Sequence, residues 1–192
     1  MIMNYLAAYI SMLHFSSKIA KMSVNDSPEL YVFNAFFMTM RSKFVGKDNE
    51  IRCFVVEWDP DELSWSSFRH DVLGPTDPNQ APPNSIRRSI LNQYKDLGLS
   101  SEPNNSDNGV HASASPFEAL AEKLNWLSLD LESDDLGKVL LDAGISKSRI
   151  EEWSRDPQIN LSESSTGSVF DELEDLDVDD CVRKLIELNS LN

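Results

Sequence analysis

At 192 residues, 41% of them hydrophobic and 26% charged, the chain is long enough to bury a core without disulfides or structural metal and has the balance of a globular domain. A formal net charge of −15 works against electrostatic attraction to nucleic acid or to an anionic membrane. The two cysteines, Cys53 and Cys181, belong to no CxxC or His-rich pattern, which argues against a zinc module or disulfide scaffold and fits a reducing, cytoplasmic setting.

Residues 1–15 are apolar, interrupted by Asn4, Ser11 and His14; with no basic leader and too little length to span a bilayer, they read as an amphipathic helix packed on the domain. A second apolar run, residues 31–40, holds Tyr31, Phe33, Phe36 and Phe37 and reads as another helix, capped near residues 25–27. Residues 52–58, dense in β-branched and aromatic side chains, read as a buried strand ended by Asp59-Pro60-Asp61. A short helix over residues 63–72 would turn Phe68 and Val72 inward. Four prolines between Gly74 and Ser85 mark an ordered loop; residues 86–97 fit a strand or a helix, and residues 98–107 form a polar excursion.

The most sharply punctuated stretch follows. Ser115 suits an N-cap, Pro116 the first helical position, and Glu118 completes a Ser-x-x-Glu capping box, so a helix starts a few residues after His111. Leu120, Leu124, Trp126 and Leu127 give it an apolar face. Glu122 lies one turn beyond Glu118 and, because helical side chains lean toward the N-terminus, points back at the His111 imidazole. A carboxylate on one ring nitrogen fixes the tautomer and leaves the other nitrogen nucleophilic. The helix N-terminus itself favours a phosphate.

After residue 129 the character changes: residues 130–192 carry 17 acidic and six basic residues, most of the excess charge. Residues 136–143 and 148–153 read as two short helices around Gly144, residues 156–168 as polar and mobile, and residues 169–191 as one amphipathic helix, with Asp179 near its cap, that docks on the domain or on a protein partner. Asp175, Asp177 and Asp179 do not form a calcium loop, since its sixth and twelfth positions fall on Asp180 and Ile186, where Gly and Glu are required.

Asn108-Gly109-Val110-His111-Ala112-Ser113-Ala114-Ser115, with Glu122 eleven positions after the histidine, resembles the active-site segment of nucleoside diphosphate kinases. Upstream, Leu73-Gly74-Pro75-Thr76-Asp77-Pro78 and Ser85-Ile86-Arg87 are similar to that family's Leu-Gly-x-Thr-x-Pro and Thr-Ile-Arg, in the family's order and spacing. The resemblance implies an α+β, ferredoxin-like sandwich and a ping-pong phosphotransferase. In that cycle His111 takes the γ-phosphate of a Mg²⁺-bound nucleoside triphosphate such as ATP and passes it to a nucleoside diphosphate. Glu122 would orient the ring, with Ser113 supporting the pair. Arg87 and Thr76 would hold phosphate, Asn108 the ribose, and Phe33 and Phe36 the base. A second phosphate-binding arginine falls at His70 by ungapped spacing, beside Arg69. No protein metal ligand is implied.

Three departures keep an alternative open, a non-catalytic relative acting as a nucleotide-binding or interaction module. Ala112 replaces the glycine that usually follows the nucleophile, the family's Lys-Pro-Asp-Gly is missing, and too few residues precede the Phe-rich segment for a full set of first elements. The expected organisation is an N-terminal apolar segment (1–28), a kinase-like domain (29–129) whose first strand is either missing or replaced by residues 1–22, and an acidic helical extension (130–192). Nucleoside di- and triphosphates are the expected ligands, with homo-oligomerisation and a partner for the last helix as further expectations; nucleic acid and membrane are not expected.

Overall fold

The computed structural model describes residues 50–192, the strand backbones Met3–Leu6, Ile19–Met22 and Leu30–Phe33, and the single positions Ser42, Val45 and Lys47. The chain divides into two compact units, one of residues 1–8 with 53–192 and one of residues 9–52. The smaller unit contains β2 (Ile19–Met22) paired antiparallel to β3 (Leu30–Phe33), with Ile19 opposite Phe33 and Met22 opposite Leu30. In the larger unit β1 (Met3–Leu6) runs antiparallel to β4 (Phe54–Glu57), with Met3 opposite Glu57 and Leu6 opposite Phe54.

Two helices expected from apolar runs therefore give way to strands, at Met3–Leu6 and at Leu30–Phe33. In each case a partner strand satisfies every second backbone group, and runs such as Leu30-Tyr31-Val32-Phe33 suit a pleated ribbon as well as a helix face. The capping residues 25–27 and residues 34–40 lie outside the described residues. β4 is a strand, but not a buried one: Phe54 is 57% exposed and Val55 46%. Among the described residues no sheet exceeds two strands, so β4 lacks the covered faces that would bury a central strand.

α1 begins at Trp65–Ser67, where the Ser64 hydroxyl accepts from Ser67 N at 3.1 Å, and runs on as wider π-type turns over Phe68–Leu73. The widening shifts the helical phase. Phe68 stacks on Trp58 at 4.2 Å between ring centroids, whereas Val72, expected inside, is 38% exposed. Gly74 ends α1 at φ +97°, and a Cβ there would meet Ala81 Cβ and Ser85 Oγ at 2.9 Å, so this corner requires glycine on two counts. The Pro-rich loop closes on Ser85, which caps α2 (Ile86–Gln93) through the bond from Arg88 N. The strand-or-helix alternative for residues 86–97 thus resolves as a helix.

α3 (Pro116–Trp126), α4 (Asp135–Asp142), α5 (Lys147–Trp153), α6 (Val169–Leu173) and α7 (Val178–Leu191) enclose the core, together with a hairpin of β5 (Gln158–Ser162) and β6 (Ser165–Ser168). That hairpin replaces the mobile stretch expected at residues 156–168. Its one buried apolar side chain is Ile159, too sparse a pattern to read as strand alternation. The single amphipathic helix expected over residues 169–191 is two. The break falls at residues 174–177, where Asp175 adopts φ +62° without Gly or Pro to announce it, and the cap of α7 is Asp177, two residues before the expected Asp179.

Phe117 and Leu120 of α3 join Leu136, Leu140, Trp153 and Leu185 in one buried cluster, in which Cys181 of α7 is completely buried. Leu124 is partly buried against it, while Leu127 sits at the helix end, 39% exposed. No helix among the described residues is long and apolar enough to cross a membrane.

Candidate functional site

The loop that precedes α3 is tied down on all sides. The Val110 carbonyl accepts from Arg87 Nη2 at 3.1 Å, the Ser113 carbonyl from Trp65 Nε1 at 3.0 Å, and the Ala114 carbonyl from Asp175 N at 2.9 Å. Ala114 N donates to the Glu118 carboxylate. The capping interaction is therefore one residue wider than a standard capping box: Ser115 Oγ accepts from Glu118 N at 3.2 Å as expected, but the glutamate answers at Ala114 rather than at Ser115. A peptide held by this many directional bonds presents its side chains in one orientation.

His111 is that loop's outward side chain, about one-third exposed. Its Nε2 lies 3.0 Å from Glu122 Oε1, and Ser113 Oγ donates to Glu122 Oε2 at 2.6 Å. Glu122 is 1% exposed, so both of its oxygens find partners where water is excluded. With Nε2–H donated to the carboxylate, the lone pair of the neutral ring is on Nδ1, which has no hydrogen-bond partner among the described residues. The backward lean of a helical glutamate onto a histidine eleven residues earlier is the geometry read from the sequence, and it places His111, Ser113 and Glu122 together.

A second acid, Glu118, completes the surroundings. Burial, and next the neighbouring Glu122 charge, push its carboxyl above the usual carboxylate range, while His111, the Ala114 N–H and Arg69 pull the other way. Ligand atoms of His111, Glu118 and Glu122 lie within 4.8 Å of one another. This set does not suit a resident Mg²⁺, which prefers an all-oxygen octahedron and keeps several waters. Here one of the three donors is an imidazole nitrogen, and Glu122 is already committed to His111 and Ser113.

The expected phosphate ligands fare differently from one another. Arg87 reaches the site but spends Nη1 on the Gly74 carbonyl at 2.7 Å and Nη2 on that of Val110, tying the Pro-rich loop to the His111 loop; its Nε is buried without a hydrogen-bond partner among the described residues. Burial and then the nearby Arg69 charge hold its guanidinium below the usual arginine range. Asn108 Nδ2 donates to the Thr76 carbonyl at 3.2 Å, so these two are neighbours through a backbone atom, with the Thr76 side chain exposed.

Arg69 turns to Asp175 and Glu174, at 2.5 and 2.9 Å. The neighbouring His70 uses Nδ1 as a donor to the Ser66 carbonyl at 2.9 Å, with Nε2 3.9 Å from Asp175. Phe33 lies in β3, and Phe36 is outside the described residues.

Sequence reasoning missed Trp65, Glu118 in its actual pairing, and Asp175. Nothing in the chain announced that the Trp65 indole would hold the Ser113 carbonyl. Comparison of the chain with protein-family models, with curated proteins and with solved structures finds no match.

Proposed function

We propose that this chain is a nucleoside diphosphate kinase-like phosphotransferase whose nucleophile is His111 Nδ1. The observation that carries the reading is the buried Glu122 carboxylate, held by Ser113 and set 3.0 Å from Nε2 of a partly exposed histidine. In the first half-reaction Nδ1 attacks the γ-phosphorus of Mg-bound nucleoside triphosphate, forming an N–P bond as the bond to the bridging oxygen breaks and the diphosphate leaves. The positive charge that develops on the ring is met at Nε2–H by Glu122. In the second half-reaction the terminal oxygen of an acceptor diphosphate attacks the same phosphorus and the N–P bond breaks. The ferredoxin-like sandwich belongs to this proposal as well, with the β1–β4 ladder and α3 as elements it would contain.

Incubation of the protein with γ-labelled ATP and Mg²⁺, beside His111→Ala, tests the reading. Acid-labile label on the wild type alone, discharged onto added GDP, is the expected result; absence of label on folded protein sinks it. The non-catalytic reading retains one specific support. Arg87 and Arg69 are both engaged by protein groups, and no Lys-Pro-Asp-Gly motif supplies another cation. It predicts nucleotide binding, or none, without label.

A further inference from the structure

The turn between α6 and α7 sets two carboxylates on one guanidinium. Arg69 Nη1 donates to Asp175 Oδ1 at 2.5 Å and Nη2 to Glu174 Oε1 at 2.9 Å, and Asp175 Oδ2 also faces His70 Nε2 at 3.9 Å. Two oxygens on the two terminal nitrogens of an arginine is the arrangement in which this side chain grips a phosphate.

The turn is placed there by backbone bonds. Asp175 N donates to the Ala114 carbonyl at 2.9 Å, in the loop that carries His111, and Asp177 Oδ1 accepts from Trp65 N at 2.6 Å, at the start of the helix that carries Arg69. Asp175 pays for its position with a left-handed backbone at φ +62°. Arg69 also belongs to the electrostatic neighbourhood of the site, since its charge acts on both Glu118 and Arg87.

We propose that Glu174 and Asp175 form an internal phosphate mimic that occupies Arg69 and competes with the polyphosphate of an incoming nucleotide, so that α6–α7 restrains the site it adjoins. The proposal rests on the phosphotransferase reading only in naming the competitor as a nucleotide. A nucleoside triphosphate carries more negative charge than the turn and displaces it from the guanidinium; an empty site keeps the turn in place. Loosening α6–α7, by a partner or by modification of the turn, raises affinity at His111 without altering any group that touches the ring.

The full-length chain tests this with a fluorescent ATP analogue and Mg²⁺, comparing wild type with Glu174→Gln/Asp175→Asn. Both replacements keep shape and remove charge, and asparagine is among the side-chain-bearing residues that best tolerate the left-handed region at position 175. The double variant is expected to bind about fivefold tighter, the release of two partly exposed ion pairs. Arg69→Gln introduced into it should abolish the gain. Glu174→Gln alone, on a half-exposed side chain, serves if the double variant is misfolded and should tighten binding about twofold.

Equal or weaker affinity in a folded variant, or a gain that survives Arg69→Gln, overturns the proposal. Labelling of His111 in the same proteins separates the two ideas. Tighter binding with no label keeps the mimic and removes the phosphotransferase; label in both with equal affinity does the reverse. No binding by either protein removes both.

Discussion

Glu118 and Glu122 stand one turn apart on α3 in the same buried patch, and their surroundings treat them differently. Glu122 has a hydroxyl and an imidazole, one for each oxygen. Glu118 has a single backbone N–H and a like charge beside it, and its carboxyl is raised above the ordinary value of 4.5, by burial first and Glu122 second. The sign follows from proton counting. Below pH 4.5 the group is protonated in both folded and unfolded chains. As pH rises toward the folded value the unfolded chain releases its proton and the folded chain does not, so stability falls across that window and stays lower above it.

Glu118→Gln, whose amide oxygen can still accept from Ala114 N, removes the titration. Melting temperatures measured from pH 4 to pH 8 should separate in favour of the variant as pH rises and converge at the acid end. Parallel curves would show that Glu118 carries no such burden.

Between elements, α3 is linked near its C-terminal end by Lys123, whose ammonium is bound to Asp134, both side chains 5% exposed. Asp134 has a second duty, accepting from Gly137 N at 3.1 Å as the cap of α4. Lys123→Met should therefore cost about 3 kcal/mol by leaving a buried carboxylate without its counter-charge, measured by urea denaturation. Adding Asp134→Asn, which keeps the cap and removes the charge, should recover part of that loss; a double variant no more stable than Lys123→Met would show the ion pair is not the source.

Element positions were legible where a local chemical signal marked them, and Ser115-Pro116 with Glu118 is the clearest case. The Glu122–His111 contact was legible for a related reason, because helix geometry alone determines which way a glutamate one turn inside will lean. The β5–β6 hairpin and the break at Asp175 were not legible. Their causes are non-local: one inward Ile159 packed on a distant core, and one peptide N–H claimed by Ala114 some sixty residues earlier in the chain. Likewise the exposed ribbon of β4 carries the same β-branched residues as a central strand, and only the number of neighbouring strands distinguishes the two.

Across the whole molecule, charge and core are not segregated. Residues 130–192 hold most of the net charge, yet they supply Leu136, Leu140, Ile150, Trp153 and Leu185 to the cluster that buries Phe117 and Leu120. Apart from the buried Asp134, this acid is exposed or half-exposed, and the helix that positions His111 shares its packing with the segments after it. Cys181 lies within this shared packing, and burial pushes its thiol up to about 12, with a bond from the Phe117 backbone acting against the shift. Cys53, half-buried, is the only other thiol.

At neutral pH an alkylating reagent should therefore consume Cys53 first and reach Cys181 only when the core opens, since the thiolate is the reacting species. The slow phase then becomes a clock for opening. Its rate should accelerate in Lys123→Met and match the loss of stability seen in urea, in a chain that carries its own reporter inside its core.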